Sequence, residues 1–147
     1  MLASAPVRWF ARRSPVDGPA AWPGRFDPAE FAPRLATRLL ILQATPFCNI
    51  DCDYCYLPDR NSTARMSLAT VRRAAQQLRD DGLLGESLTV VWHAGEPLAM
   101  PIAFYEAAID AIEDEIGAAC TVTHAIQSNA TLIDDAWCAF FKARGIA

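Results

Sequence analysis

The strongest restriction on the fold is a threefold alternation of short apolar runs with longer segments of helical period. "TRLLILQAT" (37–45), "SLTVVW" (87–92) and "TVTHAIQ" (121–127) read as buried strands. A helical segment follows each one. In "SLATVRRAAQQLRDD" (67–81), Val71, Ala74, Ala75 and Leu78 form an apolar stripe, Ser67 is placed as N-cap and Gly82 follows the end. In "PIAFYEAAIDAIEDEI" (101–116), Pro101 sits at the first turn, and Ile102, Tyr105, Ile109, Ile112 and Ile116 step by three and four. "DDAWCAFFKAR" (134–144) has Asp134 as cap and Gly145 as stop. Strand–helix alternation at this pitch predicts an α/β fold with a parallel sheet. In such sheets the loops after the strands build the binding site. Here the polar motifs all fall in those loops: "TPFCNIDCDYCYLP" after the first strand, "HAGEP" after the second and "QSNATL" after the third.

The first loop carries Cys48, Cys52 and Cys55 within eight positions. Asn49, Asp51, Asp53, Pro46 and Pro58 around them describe a polar loop, which argues against cysteines used as small core residues. Disulfides are disfavoured, because the closed loops would be very small and no secretory signal precedes them. Thiolates select zinc, copper(I) or iron–sulfur. Structural zinc takes four ligands, commonly as two separated pairs, and His93, Cys120 and His124 lack ligand spacing to this cluster. A calcium loop would need glycine at Tyr54 and an acid at Arg60. Iron–sulfur remains. A cubane takes one cysteine per iron, so three leave one iron open, and an open position is where a substrate or cofactor binds.

In the second loop, a glutamate at the mouth of a buried strand suits an ammonium group, and Gly95 lets backbone approach a ligand closely. A plain Gly-Pro turn would account for the same residues. In the third loop, Gln127 and Asn129 share a face if the chain stays extended, and paired amides recognise a carboxylate, a ribose or a peptide backbone. An Asx-type turn into the next helix is the simpler alternative. Cys138, beside Trp137 and Phe141, reads as a packing residue, and Cys120 as structural.

Composition sets outer bounds. With 52% apolar residues and a net charge of -4, the chain is expected to be globular, with no nucleic-acid partner. No apolar run reaches the ~18 residues that span a bilayer, so no membrane partner is expected and a cytoplasmic location is. Residues 1–36 hold six of the ten prolines and show no period. They read as an irregular N-terminal extension with a short helical turn near Pro28 to Phe31. Its arginine-rich start, with no acid before Asp17, has the composition of a transit peptide, although a plain extension accounts for it.

Cys-x-x-x-Cys-x-x-Cys is the spacing of the radical S-adenosylmethionine (SAM) enzymes, and "PFCNIDCDYC" resembles their motif down to the aromatic Tyr54 before the third cysteine. "HAGEP" resembles their Gly-Gly-Glu-Pro motif with Ala94 in place of the first glycine. "QSNATL" is similar to the Gln-Thr-Asn-Gly-Thr-Leu segment of the subfamily that includes sulfatase-maturating enzymes and maturases of ribosomal peptides. Ser128 stands there for threonine and Ala130 for glycine. The phrases "PFCNIDCDYCYLP", "VVWHAGEPL" and "LIDDAWCAFF" look most like peptide maturases with a cysteine-rich SPASM extension.

The resemblance implies a (β/α)6 partial TIM barrel, of which residues 37–147 would supply the first three βα units. "GIA" would begin a fourth strand, so the chain is expected to be an N-terminal fragment, inactive and poorly soluble alone. The implied cofactors are a [4Fe–4S] cluster on Cys48, Cys52 and Cys55, and SAM on the open iron. Reductive cleavage of SAM would give a 5′-deoxyadenosyl radical that takes hydrogen from a peptide or protein substrate. Flavodoxin or ferredoxin would donate the electron. Ala94, Gly95, Glu96 and Pro97 would hold SAM, with Glu96 on its amino group. Tyr54 and Tyr56 would flank the adenine, and Gln127 and Asn129 would face cofactor or substrate. No acid–base residue is assigned. The expected reaction is peptide maturation by cross-linking. The alternatives are a sulfatase-type maturase oxidising Cys or Ser, and a non-catalytic iron–sulfur or metal-binding module.

Overall fold

The computed structural model of the protein describes residues 36–147. The expected extension over 1–36, with its turn near Pro28, lies outside the described residues except for Ala36. The element order is β1 (Thr37–Leu42), α1 (Leu68–Asp80), β2 (Leu84–Trp92), α2 (Ile102–Ile116), β3 (Thr121–Ile126) and α3 (Asp135–Arg144), with short 3₁₀ turns at Pro97–Ala99 and Gly117–Ala119. The strands form one sheet in the order β1-β2-β3, and both pairings are parallel. Leu42 pairs with Trp92 and Trp92 with Ile126, so the three strands end side by side. That shared end is what brings the three motif loops together.

The expected helix caps are present. Ser67 accepts from the Thr70 N–H, and Asp134 accepts from the Trp137 N–H at 2.9 Å. Gly145 closes α3 with φ 61°, a left-handed conformation that costs glycine nothing. Three strand boundaries differ from the expectation, the end of β3 by a single residue, at Ile126. The first strand stops at Leu42 rather than continuing to 45, because the chain turns away to start the cysteine loop. The second begins at Leu84 rather than 87, since Thr37 pairs there and its N–H reaches the Leu83 carbonyl at 2.7 Å. Past the end of α3, Ala147 donates to the His124 carbonyl and accepts from the Ile126 N–H at 3.0 Å. That is the bonding pattern of a parallel neighbour on the β3 edge.

Helices cover one face of the sheet. Leu88, Val90 and Trp92 point into it from the central strand, and Val71, Ala75, Tyr105, Ile109 and Ile112 meet them. Trp92 packs edge-on to Tyr105 at 5.2 Å between ring centroids, and Tyr105 packs on Trp137 at 5.8 Å. Such crossings favour aromatic quadrupoles. Trp137, Phe140 and Phe141 form the inner stripe of α3, which turns Cys138 outward. Cys138 is therefore exposed and not the packing residue that its neighbours suggested, while Cys120 is buried as expected. On the opposite sheet face Leu39 and Ile41 remain more than half exposed. No helix among the described residues is long and apolar enough to cross a membrane.

Candidate functional site

The cysteine loop is shaped by its own backbone before any ligand is considered. Thr45 is buried and its hydroxyl donates to the Ala64 carbonyl at 2.7 Å while accepting from the Phe47 N–H, which ties the start of the loop to its end. The Cys48 N–H donates to the Arg60 carbonyl at 3.0 Å, and the Cys55 N–H to the Cys52 carbonyl at 3.1 Å. The Arg60 guanidinium binds the Cys52 carbonyl and pairs with Asp51. Arg60 thus holds the middle of the loop, a role with no spacing signal in the sequence.

All three thiols are free and line one open recess of about 280 Å³, together with His93, Gly95 and Gln127. A larger hollow of about 600 Å³ lies against the same loop but takes in only Cys48 of the three thiols, so the smaller recess is the chemically coherent one. Among the described residues no three His, Cys, Asp or Glu side chains are set to hold a single metal ion. A cubane gives each thiolate its own iron, so its ligands need a common recess rather than a common point. The donor set therefore fits a cluster: three soft thiols, one recess and no fourth cysteine.

The second loop fits against the first by bare backbone. Gly95 has φ 63°, and a Cβ built there would lie 2.8 Å from the Phe47 carbonyl and closer still to that of Thr45. The next N–H, of Glu96, donates to the Phe47 carbonyl at 2.6 Å. Ala94 has φ 73° and Ala130 has φ 65°. Both alanines thus keep the left-handed conformation that suits the glycine found at these places in the resembling motifs.

Glu96 lies differently from the expectation. Its side chain is fully buried and is not part of the recess lining. Oε1 accepts from the Leu98 N–H and from the Ser128 hydroxyl, both at 2.8 Å, and Oε2 accepts from the Asn129 N–H at 2.9 Å. The carboxylate therefore joins the second loop to the third instead of facing outward to an ammonium group. A sequence signal for this existed: Pro97 opens a 3₁₀ turn, which puts Glu96 at the capping position before it. The Tyr105 hydroxyl donates to the Pro97 carbonyl at 2.8 Å, and burial followed by the Glu96 charge raises its pKa far above the usual phenol value.

The remaining expected residues are distributed unevenly. Ala94, Gly95, Gln127 and Asn129 line the recess, whereas Pro97 is buried behind it. Tyr54 and Tyr56 edge the recess with their rings 88% and 79% exposed, so neither packs on the protein. The neighbouring Cys52 side chain raises the pKa of the Tyr54 phenol. Asn49, Ser128 and Thr131 complete the polar links between loops, and sequence reasoning had not singled them out.

Residues 42–147 match the sequence model of the Radical SAM superfamily, and the chain belongs to that superfamily. It is 39% identical over 121 residues to an uncharacterized protein of Synechocystis sp., covering 79% of this chain and 29% of that protein. A serine-type anaerobic sulfatase-maturating enzyme of Klebsiella pneumoniae is 31% identical over 109 residues, covering 73% of this chain and 28% of the relative. Among solved structures, native anSMEcpe with bound AdoMet and Kp18Cys peptide superposes with a TM-score of 0.65 at 22% identity, over 76% of this chain and 30% of that one. That likeness establishes the fold: three parallel βα units of the radical SAM partial barrel. The chain spans less than a third of the length of these relatives.

Proposed function

We propose that this chain forms the cluster- and SAM-binding part of a radical SAM enzyme that modifies a peptide. The observation that carries the reading is the convergence of three free thiols with the Ala94–Gly95 and Gln127–Asn129 segments in one recess at the ends of parallel strands. Cys48, Cys52 and Cys55 hold the cluster. Bound there, a [4Fe–4S] cluster supplies an electron for reductive cleavage of SAM and so for hydrogen abstraction from the substrate. The chain's own residues do the positioning. Ala94 and Gly95 present backbone to SAM, Gln127 presents its amide, Asn129 lines the recess beside Cys48, and Tyr54 and Tyr56 offer free ring faces to the adenine. Glu96 acts on SAM through the loops it joins. A flavodoxin or ferredoxin in a reducing cytoplasm supplies the electron, in keeping with five unpaired cysteines.

The substrate is a peptide, and the expected product is a cross-link that has lost two hydrogens. A second reading, oxidation of a single Ser or Cys side chain, is favoured by the names of the sulfatase-maturating relatives. Reconstitution with iron and sulfide tests the first part. Cys48→Ala, Cys52→Ala and Cys55→Ala should each abolish a SAM-responsive cluster spectrum, and Cys120→Ala and Cys138→Ala should keep it. Loss with Cys120→Ala and retention with Cys52→Ala would overturn the assignment. A loaded full-length protein that leaves SAM intact on reduction supports a non-catalytic binding module instead. Tandem mass spectrometry separates the two reactions: a cross-link joins two residues, while a hydrazine-reactive aldehyde on one residue marks side-chain oxidation.

A further inference from the structure

We infer that Asn129 is a positioning residue that aims an N–H at the Cys48 sulfur and thereby raises the reduction potential of the cluster. The inference rests on the reading of Cys48 as a cluster ligand. Its geometric basis is a closed ring of side chains from two loops 80 residues apart. One Asn129 Nδ2–H donates to Asn49 Oδ1 at 3.0 Å, and Asn49 Nδ2 donates to Thr131 Oγ1 at 2.7 Å. The Thr131 hydroxyl donates back to Asn129 Oδ1 at 2.6 Å. The Thr131 backbone N–H also donates to Asn129 Oδ1, at 2.9 Å.

This last bond decides the orientation of the amide. A backbone N–H can only donate, so the side-chain oxygen must lie on that side. The nitrogen is left facing Cys48 Sγ at 3.9 Å, within reach of the large sulfur atom. The main chain of the same residue is fixed independently, because its N–H is held by Glu96 Oε2 at 2.9 Å. Among the described residues, Cys48 is the one thiol of the three that receives a side-chain N–H. An N–H directed at a ligating sulfur favours the more electron-rich state of a cluster, so it makes the cluster easier to reduce. The arrangement singles out one corner of the cluster, and Asn49 and Thr131 keep the donor from rotating away.

The test is a redox titration of the reconstituted protein followed by electron paramagnetic resonance. Asn129→Ala should shift the reduction equilibrium about tenfold toward the oxidised cluster, which is about 59 mV more negative for one electron. Thr131→Val opens the ring but keeps the donor, so it should shift the potential in the same direction by less. Thr131→Ser keeps the hydroxyl and should retain the wild-type potential. An unchanged potential in Asn129→Ala, with a full complement of iron, would overturn the inference and leave Asn129 as a purely structural tie. If Asn129→Ala does not hold iron, equal potentials in Thr131→Val and Thr131→Ser overturn it. A wild-type protein that takes up no SAM-responsive cluster removes the underlying reading, and this inference with it. That outcome is distinct from a loaded wild type whose variants fail to shift.

Discussion

The helix-covered face of the sheet and the loop cluster at its C-terminal end are held together by different forces. On the helix face, cohesion comes from apolar area: Leu88, Val90, Trp92, Tyr105 and Ile112 are wholly buried. Burial of this kind is non-directional and tolerant of small shifts. The loop cluster sends Leu98 and Met100 into that core, but its geometry is set otherwise. It is held by directed bonds: Gly95 against the Thr45 and Phe47 carbonyls, Glu96 between Leu98, Ser128 and Asn129, and the ring of Asn49, Thr131 and Asn129. One side chain belongs to both regions, since Tyr105 packs its ring in the core and donates its hydroxyl to Pro97. Apolar burial thus supplies the stability of the fold, and the directed bonds set the positions of the cysteines.

If the regions are separable in this way, one substitution in each should have opposite signatures. Ile112→Ala removes a fully buried core side chain and should cost about 3 kcal/mol. The molecules that remain folded should still take up iron normally. Gly95→Ala places a methyl group against main-chain carbonyls that cannot rotate aside, and should cost about 3 kcal/mol locally. Its iron content should fall further than its folded fraction, measured by circular dichroism, explains. Equal iron per folded molecule in the two variants would show that the loop cluster has no rigidity of its own.

Glu96→Gln probes the seam between the second and third loops at a lower energy. An amide nitrogen must then face a donor that the carboxylate oxygen now accepts from, and a buried mismatch of this kind costs about 1–3 kcal/mol. The melting temperature should drop, and SAM affinity should drop as a consequence of displaced loops. Because the carboxylate is an internal tie, that loss of affinity should be insensitive to added salt. Unchanged melting together with salt-sensitive weakening of SAM would restore a direct ion pair between Glu96 and the SAM ammonium.

The two regions were also unequally legible. The strands, helices and caps of the covered face follow from local period and local hydrogen bonds, and Ser67, Asp134 and the Tyr105–Ile109–Ile112–Ile116 stripe all lie where the pattern puts them. The placement of three motifs at one end of the sheet followed from the same alternation. The contents of the loops did not. The direction of the Glu96 carboxylate depends on Ser128 and Asn129, more than 30 residues away. The pairing of Asn49 with Thr131 has no period at all. His124 lies in a strand whose period says nothing of its surroundings, yet it is buried with neither ring nitrogen bonded, and burial, followed by the nearby Arg144, lowers its pKa to about 4. Polar partners chosen across distant loops leave no trace in the spacing of either partner.

The smallest effect, and the most informative in sign, concerns the two alanines that hold glycine conformations. An alanine with positive φ suffers a clash of its Cβ with the following carbonyl worth about 1–2 kcal/mol. Glycine avoids this clash but gives up about 0.5–1 kcal/mol of extra chain entropy on folding. The balance favours glycine by about 0–1.5 kcal/mol at each site. Ala94→Gly and Ala130→Gly should therefore each raise the urea midpoint slightly with an unchanged slope. The two sites should differ in a second property. Ala94 lines the recess and Ala130 does not, so removing the methyl group should alter SAM affinity at position 94 alone. A fall in the midpoint at either site would mean that the positive φ is relaxed in solution. The loop there would then be adjustable main chain rather than part of the rigid, hydrogen-bonded cluster that the other tests assume.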